Sequence, residues 1–307
     1  MVLFSVIIPH YNSVKYLEEL IETIPVCEDV QLIVVDDKSD EDTTGVEAMV
    51  KARGGLFLHN TTDKKGAGTC RNLGLKEAVG KWLLFADADD YYTDDAFEKV
   101  RAHADSDADI IYFAPTSTFR YSDTHAKRHI NYVKLVQEYL NNPSHENEIS
   151  MRYKFIIPVS KMVRNELVQK NGFTFDEVPA SNDVMFSLKC AYAAGKIEVT
   201  EDVIYRIISG EGTLTTKKSE KNYWARVRIF KERYHFLKER LMKEELKVFG
   251  ISTFSGIVMI YRALKQGYGM KMAGEIWKFF RENQVKLIDM GSVRTSVGRK
   301  VMRKKSA

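Results

Sequence analysis

Short apolar runs and amphipathic stretches alternate along the first third of the chain. Phe4 to Ile8, Gln31 to Val35, Gly55 to His59, Trp82 to Phe85 and Ile110 to Phe113 are rich in β-branched and aromatic residues and read as strands. Between them, Val14 to Ile24, Thr43 to Ala52, Gly68 to Val79 and Asp95 to Ala104 carry apolar residues at helical spacing. Continuous apolar strands alternating with helices predict an α/β fold with a mostly parallel central sheet, covered on both faces and joined by right-handed crossovers. Thr116 to Asn147 is polar, mixes Phe119, Arg120, Tyr121, Arg128 and His129, and reads as an irregular, variable insertion beside the site. A second αβ stretch follows, with helices near Ser160 to Lys170 and Asn182 to Ala194 and a strand near Val203 to Ile207. Beyond Lys217 the pattern is helical, with Trp224, Ile229, Phe230, Phe236, Leu237 and Leu241 forming an apolar stripe among many bases.

Composition excludes the disordered, collagen-like and coiled-coil classes: 44% of the 307 residues are hydrophobic and 29% charged. The net charge of +4 hides an asymmetry. Residues 1–217 hold 34 Asp and Glu against 24 Lys and Arg, whereas residues 218–307 hold 8 against 22. This predicts two units, an acidic one over 1–217 and a basic α-helical extension over 218–307. Two readings of the extension are open: binding of an anionic membrane surface, which the terminal Arg299-Lys300-Val-Met-Arg303-Lys-Lys305 also suits, or packing with a solvated basic face. Nucleic acid is not an expected partner, because no recognised binding module accompanies the charge. The N-terminus lacks a basic n-region and its apolar run is broken by Ser5 and Pro9, so it reads as a first strand and not a signal peptide. The best apolar stretch, Ile251 to Tyr261, stops at Arg262, short of the ~18 residues a spanning helix needs. Cys27, Cys70 and Cys190 form no CxxC pair and read as reduced, buried thiols of a cytoplasmic protein.

In such sheets ligands gather at the carboxyl ends of strands, where this chain places its most polar residues. Asp87-Ala88-Asp89-Asp90 follows Trp82 to Ala86 directly, and like charges that close repel unless a cation joins them. Hard oxygen ligands there suit Mg²⁺ or Mn²⁺ with substrate phosphates; the other reading is an acidic loop that caps the helix near Asp95. Asp36-Asp37 ends the second strand, where a carboxylate can accept from a uracil imide or a ribose hydroxyl, or else form an Asx turn. Tyr11 can stack on a base or pack at the rim. Gly66-Ala67-Gly68 opens a helix and brings Arg71 toward a ribose or phosphate, although a flexible turn explains the glycines as well. Asp183 stands at the start of an amphipathic helix, placed as a general base or as an N-cap.

Taken in order, these stretches resemble the family 2 glycosyltransferases of the GT-A fold, a bacterial group that builds capsule, O-antigen and teichoic-acid glycans. The resemblance covers about residues 2 to 215 through Ser5-Val-Ile-Ile-Pro-His-Tyr-Asn12, Val34-Val-Asp-Asp-Lys-Ser39, Gly68-Thr-Cys-Arg-Asn-Leu-Gly-Leu75, Gly80-Lys-Trp-Leu-Leu-Phe-Ala-Asp-Ala-Asp-Asp90, Asn182-Asp-Val-Met-Phe186 and Tyr205-Arg-Ile-Ile-Ser-Gly-Glu-Gly-Thr-Leu-Thr215. It implies a GT-A catalytic domain over 1–217 and an inverting, metal-dependent hexosyltransferase that moves a sugar from a nucleotide diphosphate sugar, UDP favoured, to a hydroxyl of a glycan or lipid-linked acceptor. Pro9, Tyr11, Asn12, Asp37 and Arg71 match positions that hold the nucleoside, Asp87 and Ala88 lie by the sugar or ribose, Asp89 matches a ligand of Mn²⁺ or Mg²⁺, and Asp183 matches the catalytic base. Asn182 departs from the family's usual Glu, and Tyr205 to Thr215 carries no histidine as a further metal ligand. The implied setting is cytoplasmic, on the inner face of the plasma membrane. Two alternatives stay open: a nucleotidyltransferase, which wants a Gly-rich, Lys-containing loop that Pro9-His10-Tyr11-Asn12 does not supply, and a non-catalytic sugar-nucleotide-binding protein.

Overall fold

The first strand, β1 (Phe4–His10), is buried at every position and lies between two parallel neighbours, β2 (Val30–Asp36) and β4 (Trp82–Phe85). Neighbours on both edges and helices on both faces leave such a strand no solvent side, so it is written as a continuous apolar run. The structure is a computed structural model that describes residues 1–122, 124–210, 218–250 and 254–289. Its chain divides into two compact units, Met1–Thr213 and Leu214–Ala307.

In the first unit, β3 (Leu56–His59) adds in parallel to β2, and helices α1 (Val14–Glu22), α2 (Thr44–Ala52) and α3 (Ala67–Glu77) make the crossovers. Leu17, Leu20 and Ile21 of α1 are buried at i, i+3 and i+4, the spacing that lays one helical stripe on a sheet. Then come β5 (Tyr91–Tyr92), α4 (Ala96–Ala102), β6 (Ile110–Phe119), α5 (Ile130–Asn141), α6 (His145–Lys154), β7 (Lys161–Arg164), α7 (Asn165–Asn171), α8 (Val184–Ala193) and β8 (Ile197–Ser209). The sheet order is β3-β2-β1-β4-β7-β6-β8-β5. Strand β7 is antiparallel to both β4 and β6, and β5 to β8, so the sheet is mixed, with a parallel block in β3-β2-β1-β4 and a parallel β6–β8 pair.

Three sequence expectations need correction. Thr116 to Asn147 is not irregular: β6 runs to Phe119 with Ser117 and Thr118 buried, and α5 fills Ile130–Asn141. The hydroxyl side chains hid a strand that β8 completes from 90 residues away in register, Ser117 facing Ile207. The helix expected over Ser160 to Lys170 is split into β7 and α7, because Met162 and Val163 are buried between β4 and β6 and tertiary pairing overrides local spacing. Cys70 and Cys190 are buried, but Cys27 is exposed.

The sheet's far end is closed by a near-contact of backbones. The Gly80 N–H donates to Ser5 Oγ at 2.8 Å, and Ser5 Oγ donates to Gln31 Oε1 at 2.6 Å. A Cβ on Gly80 would stand 2.6 Å from Ser5 N and 2.7 Å from Phe4 C, both main-chain atoms that cannot swing away.

The second unit contains α9 (Glu220–Arg240), α10 (Lys243–Leu246), α11 (Ile257–Lys265) and α12 (Gly269–Glu282). Ser219 caps α9 by accepting from the Asn222 N–H. Tyr223, Val227, Tyr234 and Leu237 of α9 are buried, as are Met272, Ile276 and Phe280 of α12, while Trp224, Phe230 and Leu241 of the expected stripe are only half-buried. Among the described residues no helix is long and apolar enough to cross a membrane. The basic run from Arg299 to Lys305 and the segment from Glu211 to Thr215 lie outside the described residues. Gly80→Ala is expected to lower unfolding free energy by about 1–3 kcal/mol, the usual cost of forcing atoms into a filled space, as urea denaturation will measure.

Candidate active site

Because β1, β2 and β4 are parallel neighbours, their carboxyl ends share one rim. Pro9 is buried within β1 opposite Val35. Tyr11, just beyond, is exposed, with its hydroxyl 3.3 Å from Asp40 Oδ2 and the Lys65 ammonium 3.8 Å from its ring centroid. Asn12 takes a left-handed backbone (φ 47°), a region asparagine tolerates, and its amide oxygen accepts from Asp40 N at 2.8 Å. The residues after β1 therefore hold the loop after β2.

The two acids of that loop divide their work. Asp36 forms the Asx turn, accepting from Ser39 N at 3.2 Å, and lies 3.0 Å from His10 Nδ1. His10 Nε2 accepts from Ser13 N, so Nδ1 carries the proton and donates to Asp36; burial lowers the His10 pKa and keeps the ring neutral. Asp37, also buried, accepts from Gly66 N at 2.7 Å and from Asn60 Nδ2 at 2.8 Å. It ties the β2 loop to the start of α3.

The glycines at that start answer to steric limits. Gly66 has φ 132°, which side-chain-bearing residues rarely adopt, and a Cβ on Gly68 would meet Asp176 O at 2.2 Å. The turn is thus a fixed close approach and not a flexible one. One turn on, Arg71 is buried; it donates to Asn182 Oδ1 at 2.8 Å and forms an ion pair with Asp87. Its guanidinium carbon lies 5.2 Å from the Phe175 ring centroid, and Phe175 stacks on Phe186 of α8 at 3.9 Å.

Each acid after β4 has a different environment. Asp87 pairs with Arg71, and its N–H donates to Tyr205 Oη at 2.9 Å. Ala88 is buried. Asp90 is buried and accepts from Ile208 N at 2.7 Å; burial, with Asp87 and Asp89 nearby, pushes its pKa well up. Asp89 is half-buried, and burial followed by the Asp87 charge raises its pKa. None of the three caps α4, whose N-cap residue is Asp95. Arg120 donates to the Asp89 carbonyl and to Tyr91 Oη (2.9 Å), and stacks 3.7 Å from the Tyr16 ring centroid.

Asp183 precedes α8, yet its side chain makes no capping hydrogen bond. Burial raises its pKa, opposed chiefly by the Arg71 charge. Lys161 is buried nearby, donates to Phe155 O at 3.0 Å, and is pushed down to about 7 by burial, with Cys190 and Asp183 resisting.

Among the described residues no three His, Cys, Asp or Glu side chains come together as a metal-holding group. The carboxylates after β4 are oxygen donors of the kind Mn²⁺ or Mg²⁺ takes together with diphosphate and water, and a cation there would offset the Asp87 charge that adds to burial in raising the Asp89 pKa. Arg71, Asp87 and Asn182 are brought into contact, and the Arg71 charge reaches Asp183. Tyr11, Asn12 and Asp37 form a second cluster around the β2 loop and α3 start. Sequence reasoning missed Tyr205 and Lys161 as neighbours of the acids, and read Arg120 only as part of an insertion. The signals available were the aromatic and basic residues of the stretch that holds Arg120, and the place of Tyr205 at the head of the last matching motif. Asp37→Ala removes the acceptor of the Gly66 N–H and of one Asn60 amide hydrogen and is expected to cost about 1–3 kcal/mol, read as a lower melting temperature.

Similarity to characterised proteins agrees with this geometry. Poly(ribitol-phosphate) beta-N-acetylglucosaminyltransferase TarS of Staphylococcus aureus is 27% identical over 215 residues, covering 67% of this chain but 35% of TarS, so the chain spans about a third of that relative. Glycosyltransferase GlyG of Streptococcus pneumoniae is 25% identical over 248 residues, 75% of this chain and 79% of GlyG. The solved structure of S. aureus TarS 1-349 in complex with UDP-GlcNAc superposes with a TM-score of 0.65 at 22% identity, covering 80% of this chain and 70% of that one. This likeness establishes the α/β fold with its mixed sheet. The model described as Glycosyl transferase family 2 matches residues 5–172, more than half of the sequence, and takes in the whole rim from β1 through the Asp87–Asp90 loop. The chain belongs to glycosyl transferase family 2.

Proposed function

We propose that this chain transfers a sugar, with inversion, from a UDP-sugar to a hydroxyl of a cell-surface polymer of the polyol-phosphate class. The observation that carries the reading is Arg71, whose buried guanidinium joins the Asp87–Asp90 loop to the start of α8 where Asp183 stands. Family membership supports the reaction class. UDP as donor is supported by the TarS complex, and the acceptor class by the names of TarS and of the Bacillus spizizenii poly(ribitol-phosphate) beta-glucosyltransferase, which is 26% identical over 66% of this chain.

In this reading Pro9, Tyr11, Asn12, Asp37 and Arg71 line the nucleoside end, Tyr11 offering its exposed ring to the base. Asp87 and Ala88 border the ribose and sugar, and Asp89 holds the metal. Mn²⁺ or Mg²⁺ would neutralise charge on the departing diphosphate. The acceptor oxygen attacks the anomeric carbon from the face opposite the diphosphate; the new carbon–oxygen bond forms as the bond to the diphosphate oxygen breaks, and its electron pair leaves with UDP. Asp183 takes the acceptor's proton. A carboxylate that caps nothing and has a raised pKa is a stronger base than an exposed one.

Two tests follow from these assignments. In a donor screen with Mn²⁺ or Mg²⁺, wild type releases UDP from its donor and EDTA stops it, while Asp183→Asn loses about 10²- to 10⁴-fold in transfer yet still binds UDP. The base works ionised, so kcat/KM falls as pH drops through an acid limb lying above the ordinary carboxylate range. Full transfer by Asp183→Asn would remove the base role.

The second unit is proposed to rest on an anionic membrane surface, placing the enzyme at the cytoplasmic face. Supporting this, Ile257, Tyr261 and Leu264 of α11 are 44%, 62% and 39% exposed at i, i+4 and i+7, with Lys265 beside them. Flotation with phosphatidylglycerol vesicles is expected to carry the protein at low salt and release it at high salt. Equal flotation with neutral vesicles would contradict an electrostatic contact.

A further inference from the structure

Within the second unit a groove of about 370 Å³ lies between α9 and α11, lined by Tyr223, Arg226, Met259, Arg262 and Gln266. Tyr223 and Arg226 sit one turn apart on α9, and Met259, Arg262 and Gln266 follow one face of α11 and its end. The two helices are fixed there by the Tyr223 hydroxyl, which donates to Met259 O at 2.5 Å. Among the described residues neither Arg226 nor Arg262 has a carboxylate partner, although most other arginines of the chain are paired or bonded. Two arginines therefore line one groove with no carboxylate partner among the described residues. Lys218 adds charge at one end: it donates to Gly267 O at 2.8 Å and lies 5.1 Å from the ring centroid of Tyr268, which in turn packs on Tyr223.

We infer that this groove holds a phosphodiester of the polymeric acceptor, at a place separate from the reacting hydroxyl. The inference rests on the acceptor class proposed above. A guanidinium presents a planar fork of N–H donors that matches the non-bridging oxygens of phosphate, and two such forks facing one groove suit a phosphate better than a neutral sugar. The Tyr223 ring and Met259 offer an apolar floor to the carbon chain between phosphates, and Gln266 offers a donor and an acceptor to its hydroxyls. Both guanidinium charges oppose the burial that raises the Tyr223 pKa.

Geometry favours a polymer over a lipid headgroup as the source of that phosphate. At about 100° per residue, Met259, Arg262 and Gln266 point roughly opposite to Ile257, Tyr261 and Leu264 on α11. A lipid surface met by the exposed apolar face would leave the groove directed away from it. A flexible phosphodiester chain can enter from solution.

The test uses the full chain and a short synthetic ribitol-phosphate oligomer, with calorimetry at two salt concentrations. Wild type is expected to bind the oligomer, more weakly at higher salt, and Arg226→Gln with Arg262→Gln together to lose about tenfold or more in affinity. The pair Arg226→Lys and Arg262→Lys keeps the charge and part of the binding, which separates loss of cations from loss of packing. UDP affinity and melting temperature stay at wild-type values in both pairs. Equal oligomer affinity in the Gln pair and wild type overturns the inference, as does a Gln pair that loses phosphatidylglycerol-vesicle binding but not oligomer binding. Failure of the transferase reading is separately visible as absent UDP binding by wild type.

Discussion

A single buried cation organises the rim of this sheet. Arg71 is withdrawn from water, which costs several kcal/mol unless its donors are met; its Nη1 and Nη2 groups reach the Asn182 amide oxygen and Asp87, while Nε is buried without a hydrogen-bond partner among the described residues. That pairing decides what the neighbouring acids can do. Asp87 is committed to Arg71, and Asp90 is enclosed and hydrogen-bonded to the Ile208 N–H. Asp89, like Asp90, has no side-chain ion pair among the described residues, and it is the less buried of the two. Three adjacent carboxylates that would repel one another as a bare cluster become three distinct chemical environments.

The rest of the rim is held by contacts that tolerate no extra atoms. Gly68 passes Asp176 so closely that a methyl group would overlap its carbonyl, and Asp37 pins the Gly66 N–H two residues before it. Arg120 grips the Asp89 carbonyl while stacked on Tyr16. Contacts of this kind restrain the loops at the strand ends, which favours preorganisation of the side chains they carry.

How much of this could be read from the sequence depended on how local its cause was. β1 and β4 were legible because burial on both faces writes itself as an unbroken apolar run. β7 was not: its four residues look helical with their neighbours and become a strand only by lying between β4 and β6. The end of β6 was hidden because its Thr and Ser side chains are stabilised by a partner strand that follows much later in the chain. At the site, the order of acids, arginine and glycines was legible, and the structure gathers them at one rim of the sheet. The division between Asp36 and Asp37, the bond from Arg71 to Asn182, and the hold of Arg120 on the Asp89 loop came from distances that no spacing rule encodes.

Strand β8 bears on how the molecule is made. It is the last strand of the sheet in chain order, yet it sits between β6 and β5, and from it Tyr205 receives the Asp87 N–H while Ile208 donates to Asp90. These contacts join residues 118 positions apart. A nascent chain that has emerged only as far as residue 172, where the family match ends, already contains every acid of the β4 loop but lacks the strand that fixes them. During synthesis the parallel block can pair early, whereas the contacts of Tyr205 and Ile208 with the acidic loop can form only once the end of the first unit has been made. Late closure of the sheet thus makes the completion of the fold and the completion of the site the same event.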